Sequence, residues 1–339
     1  MVASAYKVLI IGCGNMAGGY DLLQSEDALP LGHAKAFSKH GGFALAACVE
    51  PDATKRAAFQ QRWHVPAGFA SVQEVAAAGG QFDVISICSP THAHAADIQS
   101  ALALKPKLIF CEKPVTSKLQ ESQRAVQACA DQQVLLAVNY SRRWSLQVAQ
   151  LKAELADGHW GAVRSVSAVY NKGLLNNGSH MIDFLLALFG PLHIVSVGQS
   201  VDDFFSDDPT IDATLRTQQG LPIQLNVAHA QDYAMFEMQI VTEKGVISME
   251  DGGARWRFRH AKPSAQLAGY RFLNFGDWVE PQGSYALTGA VVNLFEALQS
   301  GAPLASTGSN ALQAQDLCEQ IKQMALAHAA GHIFKKEAV

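Results

Sequence analysis

The sequence predicts two domains in succession: an α/β domain built on a parallel sheet over residues 1–140, then an α+β domain with a large, mainly antiparallel open sheet over residues 141–339. Three observations carry this. Up to Asn139, short apolar runs alternate with helix-length amphipathic segments, the pattern of βαβ units. Past Asn139, apolar residues recur at every second position, as in strands with one covered face. A chain of 339 residues also accommodates two domains of roughly 150 residues each.

The first apolar run, residues 8–11, enters Gly12-Cys13-Gly14-Asn15-Met16-Ala17. Between a strand and a helix, Gly-x-Gly-x-x-Ala is a phosphate-binding turn. Gly12 permits the bend, Gly14 lets a pyrophosphate approach the backbone, and Ala17 lets helix and strand pack closely, with Asn15 and Met16 completing the turn. The free N–H groups and positive end of the next helix would face the phosphates. A dinucleotide is the expected ligand, and a Rossmann domain the expected fold.

Further strands are expected at 44–49, 83–88, 107–111 and 134–138, with helices at 51–63, 72–78, 92–104 and 118–132. Helical spacing lapses between Gly18 and Pro30 and resumes at His33, which marks an insertion that is either a lid or a surface loop. Glu50 closes the second strand. There an acid accepts hydrogen bonds from a ribose 2′-OH and repels a 2′-phosphate, so NAD is expected over NADP, with Arg56 the one nearby cation; otherwise Glu50 only opens a turn before Pro51. Ser89, Pro90 and His94 follow the third predicted strand, and Glu112-Lys113-Pro114 follows the fourth. Ligands of open α/β sheets sit outside the carboxyl ends of strands, so both segments should face the dinucleotide crevice.

In the second half, period two is seen around Ile211, Ile223, Phe236 and Trp256. Arg255, Arg257 and Arg259 share the face opposite Trp256 and Phe258, as an anion-binding row or a solvated sheet face. Gln224, Asn226, Glu237 and Gln239 define a broad polar face suited to a symmetric interface, hence a homodimer or homotetramer. Helices are expected at 146–155, 179–189, 285–299 and 310–329, the last two covering the sheet and the domain junction. His180 and Asp183, three apart, share one side of the 179–189 helix. With His180 in its first turn, the positive helix end would favour a neutral imidazole able to act on a substrate hydroxyl.

Composition narrows the partners. A net charge of −4 without a basic cluster argues against nucleic acid. No apolar run approaches the roughly 18 residues that span a bilayer, and the N-terminus leads straight into a strand, so no membrane association and a cytoplasmic location are expected. Six cysteines stand singly, which predicts reduced thiols, no disulfides and no metal site.

Taken in order, Gly-x-Gly-x-x-Ala, Glu50, Pro90-x-x-x-His94, Glu112-Lys113-Pro114 and Gly178-x-His180-x-x-Asp183 resemble the glucose-fructose oxidoreductase and inositol dehydrogenase (Gfo/Idh/MocA) family. The resemblance implies an NAD(P)-dependent oxidoreductase that moves a hydride between nicotinamide and a secondary alcohol or ketone of a sugar or sugar-nucleotide. It implies that Lys113 reaches both nicotinamide and the reacting hydroxyl, that Glu112 and His94 help to bind the cofactor, that the bond before Pro114 is cis, and that Arg143 lies near the substrate or nicotinamide. Asn176, Asn177 and Asp183 would join His180 around the substrate. Many relatives carry aspartate four residues before this histidine, where this chain has Asn176. Asparagine orients a hydroxyl but cannot take its proton. That departure keeps two alternatives open, an NAD-retaining epimerase or lyase and a catalytically lapsed ligand-sensing protein of the same fold.

Overall fold

The computed structural model describes residues 5–280 and 286–336, with side chains described up to 328. Its contacts divide the chain into two units, residues 1–146 with 283–312, and residues 147–282 with 313–339.

The first unit contains β1 (Tyr6–Ile11), α1 (His33–Lys39), β2 (Phe43–Val49), α2 (Ala53–Trp63), β3 (Ala67–Phe69), α3 (Val72–Ala77), β4 (Val84–Ile87), α4 (His94–Ala103), β5 (Leu108–Cys111), α5 (Leu119–Asp131) and β6 (Leu135–Val138). The six strands form one parallel sheet in the order β3-β2-β1-β4-β5-β6. Strands β1, β4 and β5 are buried on both faces, which explains their unbroken apolar runs. The three-residue β3 was not expected; it is too short to carry a period.

The insertion is spliced into the first helix. After β1 the chain makes one helical turn, with Gly18 N–H donating to Gly14 O at 3.2 Å, and then departs. On its return, His33 N–H donates to Met16 O at 3.0 Å and Ala34 N–H to Ala17 O at 2.8 Å, so α1 resumes the hydrogen bonding that the turn left open. The two ends touch, since a Cβ on Gly32 would lie 2.8 Å from Gly18 Cα. Buried Asp21 closes the excursion by accepting from Leu31 N–H at 2.9 Å and Gly32 N–H at 2.7 Å. Lys35 Nζ, also buried, donates to Ser25 O at 2.8 Å and stands 3.9 Å from Asp21. The helix expected directly after the glycine turn is therefore present in two pieces.

The second unit contains α6 (Leu146–Ala156), β7 (Val163–Tyr170), a π-helical turn (Leu174–Gly178) running into α7 (Ser179–Phe189), and then β8 (Leu192–Val201), β9 (Thr210–Thr217), β10 (Pro222–Val227), β11 (Phe236–Thr242), β12 (Gly245–Glu250), β13 (Arg255–Pro263), β14 (Arg271–Leu273) and β15 (Trp278–Val279). Nine strands build one sheet in the order β14-β13-β12-β11-β7-β10-β9-β8, with β15 on β13. Only β7 and β10 pair in parallel. Period two is realised as buried Ile211, Ala213 and Leu215 on β9, and Met238 and Ile240 on β11. The arginine row is engaged by this chain's own backbone and by an indole ring. Arg257 Nε donates to Phe275 O at 2.7 Å, Arg259 Nε to Asn274 O at 3.1 Å, and Arg255 and Arg257 lie over the Trp278 ring.

Two helices follow, α8 (Ala286–Ser300) and α9 (Gly308–Lys336). The expectation that α8 covers the second sheet is corrected: its Leu287, Ala290, Val291 and Leu294 belong to the core of the first unit, beside Val8, Phe43 and Phe110. An amphipathic helix states which face it buries, not against what. Asp21→Ala, which orphans the buried Gly32 N–H and the partly buried Leu31 N–H and leaves Lys35 without its counter-charge, is expected to destabilise the protein by about 2–4 kcal/mol in urea denaturation and to open residues 22–30 to protease.

Candidate active site

In the first unit a cavity of about 710 Å³ lies at the carboxyl edge of the sheet, walled by the 12–16 turn, Glu50 and the Cys88-Ser89-Pro90 segment. Gly12 has φ +84°, and a Cβ there would stand 2.6 Å from Ser89 N, so only glycine fits. A Cβ on Gly14 would meet nothing within 4 Å, which leaves its backbone open to an approaching phosphate. Glu50 Oε2 accepts from Cys13 N–H at 3.0 Å, so the acid stands over the turn itself. These residues fit a dinucleotide: an open glycine cradle, with an acceptor positioned for a ribose hydroxyl.

The cations around the cavity differ from expectation. Arg56 Nη1 donates to the carbonyls of Glu50 and Pro51, so it braces the β2 end, while Lys55 and Arg62 line the wall, Arg62 lying 4.8 Å above the Trp63 ring.

Two residues expected to bind the cofactor are engaged by the protein. His94 is buried, with Nε2 2.9 Å from Ser89 O and Nδ1 2.9 Å from Pro114 O, and so ties the β4 and β5 loops together. Glu112 is buried and accepts on Oε1 from His33 Nε2 at 2.8 Å and from Asn139 Nδ2 at 2.7 Å. Their geometry supports positioning in place of direct cofactor contact. The Lys113-Pro114 bond is cis, and Lys113 and Arg143 are half-buried.

His33 is the residue that sequence reasoning missed. Fully buried and stacked on Phe110 at 4.5 Å, it reaches Ser86 Oγ (2.8 Å) at the end of β4 and Glu112 after β5, and Asn139 after β6 completes the network. Burial opposes its charge, but hydrogen-bonding and charge interactions with the Cys88 sulfur and the Glu112 carboxylate outweigh burial and raise the imidazole to about 10. Burial pushes Glu112 up, yet the His33 hydrogen bond and charge and the Asn139 amide hold it below the ordinary carboxylate value. A histidine resuming a helix after a break was the available signal.

In the second unit the helical run begins at Leu174, one turn before the expected start, so His180 stands in its second turn and the helix-end argument for a neutral imidazole no longer applies. His180 is half-buried and Asp183 is buried. Asn176 Nδ2 donates to Lys172 O at 2.9 Å, and Asn177 Nδ2 to Asn171 O at 2.9 Å, so both amides brace the loop. Among the described residues, no group of three His, Cys, Asp or Glu could hold a metal, and no helix is long and apolar enough to cross a membrane.

This geometry defines a class, the NAD(P)-binding oxidoreductases built on a Rossmann domain with an appended sheet domain. Residues 6–140 match the model of the oxidoreductase family with an NAD-binding Rossmann fold, GFO_IDH_MocA. It is 22% identical over 267 residues to an inositol 2-dehydrogenase of Rhizobium meliloti, covering 71% of this chain and 78% of that one. It is 40% identical over 79 residues to the uncharacterized oxidoreductase YrbE of Bacillus subtilis, a match spanning only 23% of either chain. The fold is that of the WlbA dehydrogenase from Bordetella pertussis, solved in complex with NADH and UDP-GlcNAcA, at 17% identity and a TM-score of 0.77 over 97% of both chains.

The buried pair yields a test. With His33 raised above 6.5, its contribution to stability is complete below that value and is lost as pH rises through about 10. With Glu112 lowered from 4.5, its contribution is complete above 4.5 and is lost as pH falls through the lowered value. His33→Ala is expected to cost about 3–5 kcal/mol at pH 7 by leaving a buried carboxylate unpaired. Adding Glu112→Ala should cost much less than its single-variant value, a coupling of about 2 kcal/mol in a double-mutant cycle.

Proposed function

We propose that the protein is an NAD-dependent dehydrogenase or reductase acting on a secondary alcohol or ketone of a sugar or sugar-nucleotide. The observation that carries this reading is the glycine-turn cavity with Glu50 over it. The inositol dehydrogenase relative and the UDP-GlcNAcA-bound neighbour support the substrate class.

When bound, the nicotinamide supplies the hydride chemistry. In this proposal the chain's own residues do the rest. Lys113 binds the reacting oxygen and stabilises its developing charge, while His180 takes the hydroxyl proton during oxidation and returns it during reduction. Arg143, Asn176, Asn177 and Asp183 are assigned to the substrate as well. A homodimer or homotetramer through the second sheet is proposed as well, supported by its polar face, on which Asn226 Nδ2 donates to Ser167 Oγ at 3.0 Å.

A second reading, a ligand-sensing protein that keeps the fold without turnover, draws on Asn176, whose amide is given to the backbone. Full cofactor binding with no turnover across a nucleotide-sugar panel would favour it.

Titration of NADH and NADPH by fluorescence is expected to show tighter NADH binding, with Glu50→Ala narrowing the gap; equal affinities in the unaltered protein would overturn the Glu50 assignment. His180→Ala is expected to lower kcat by about 10²–10⁴-fold with NAD affinity nearly unchanged, and Lys113→Ala to be at least as damaging. Near-normal turnover by His180→Ala would make the histidine structural.

A further inference from the structure

Five successive backbone N–H groups at the start of the helical run that carries Asn176 and His180 find their acceptors in one short segment after β8. Lys172 N–H donates to Asp203 Oδ2 and Gly173 N–H to Thr210 Oγ1, both at 2.8 Å, and Leu174 N–H donates to Pro209 O at 3.0 Å. Leu175 and Asn176 then donate to the two oxygens of one carboxylate, Asp208 Oδ1 and Oδ2, each at 2.8 Å.

The last three, from Leu174 to Asn176, are donors that a helix start leaves without intrahelical partners. Helices usually satisfy one of them with a side chain at their own N-cap, immediately adjacent in sequence. Here the cap comes from 32 and 33 residues further on, and it grips two consecutive peptides at once. Two bonds from one carboxylate fix direction as well as distance, so the rotation of the helical run about its axis is set at Leu175 and Asn176. His180 follows Asn176 by about one turn on the same run. Gly173 permits the approach: it has φ +84°, and a Cβ there would stand 2.3 Å from Asp208 Oδ2. The anchor is itself held, since Asp203 accepts from Thr210 Oγ1 at 2.8 Å and from Ala230 N–H at 3.2 Å.

Asp208 also brings a charge. Burial raises its carboxyl above the ordinary value, against the two N–H bonds and the Lys322 ammonium, which lower it, while neighbouring Asp207 adds to the rise. Its two hydrogen bonds place this carboxyl at the start of the helical run, whose own position 176 is a neutral asparagine.

We propose that Asp208 is the positioning residue of the second-unit site, setting through its paired hydrogen bonds where Asn176 and His180 stand and supplying the negative charge that position 176 lacks. The proposal rests on the reading that Asn176 and His180 belong to the site. It is tested on the full-length protein without substrate, so a wrong assignment of His180 chemistry would surface in the turnover of His180→Ala and not here.

The His180 imidazole is titrated by long-range ¹H–¹⁵N NMR, its signals assigned by their loss in His180→Gln, and amide exchange is followed by mass spectrometry. Asp208→Asn is expected to lower the His180 midpoint by roughly 0.3–0.7 unit, the size of a partly screened interaction with a nearby charge, and to speed exchange of 174–176 about tenfold. Asp208→Glu, which keeps the charge, should hold the midpoint near the unaltered value. Thr210→Val, which removes a neutral acceptor, should loosen Gly173 without moving the midpoint; it remains informative if Asp208→Asn fails to fold, because a midpoint shift as large as that expected for Asp208→Asn would refute the charge role. An unchanged midpoint and unchanged exchange in folded Asp208→Asn would overturn the proposal.

Discussion

Two backbone hydrogen bonds, from His33 to Met16 and from Ala34 to Ala17, allow the first unit to keep a helix that its sequence interrupts. Much at the carboxyl edge of the parallel sheet depends on them. They set α1 in line with the glycine turn, and α1 in turn delivers His33 beneath the ends of β4, β5 and β6. A histidine displaced by one residue would face elsewhere on the helix, leaving Glu112 buried without its counter-charge. The Glu112 peptide leads directly into Lys113, so the backbone that presents the proposed catalytic lysine is anchored by an ion pair on its protein side.

The second unit solves a similar problem with different means. Its site helix begins in a loop whose donors cannot be satisfied by their own neighbours, and the connection between β8 and β9 supplies the acceptors. In both units a side chain far away in sequence fixes the backbone that carries a proposed site residue. Long-range polar contacts of this kind cost ordering entropy, and they are sustained because the alternative is a buried donor or carboxylate with no partner.

Local patterns made much of this legible beforehand. The glycine turn, the apolar strands and Glu50 depend on neighbours within a few residues, and period two marked the inner face of the second sheet through residues such as Ile211 and Met238. What escaped was whatever depends on contacts between distant segments. Leu287 and Leu294 show α8 to be amphipathic without showing which core receives them. The Arg255–Arg259 row was visible as charge, but not the returning Phe275 and Asn274 carbonyls that engage it. His33 carried no motif of its own because fifteen residues separate it from Ala17, with which its helix is continuous. Glu112 and His94 were recognised as residues of the site, but their partners, which turn them into braces, lay beyond the reach of spacing.

The excursion that interrupts the first helix leaves and rejoins it at two touching backbones, Gly18 and Gly32. Between Asp21 and Ser25, which hold it to the returning chain, and the Gly18–Gly32 contact, its remaining length is set by loop closure. Halving or doubling such a loop changes its closure entropy by only about 0.6 kcal/mol. Its exposed Leu22 borders the dinucleotide cavity, while the neighbouring Leu23 is fully exposed. This places a graftable tip within one residue of the cofactor wall, where an attached fluorophore would report occupancy of the cavity without entering the sheet.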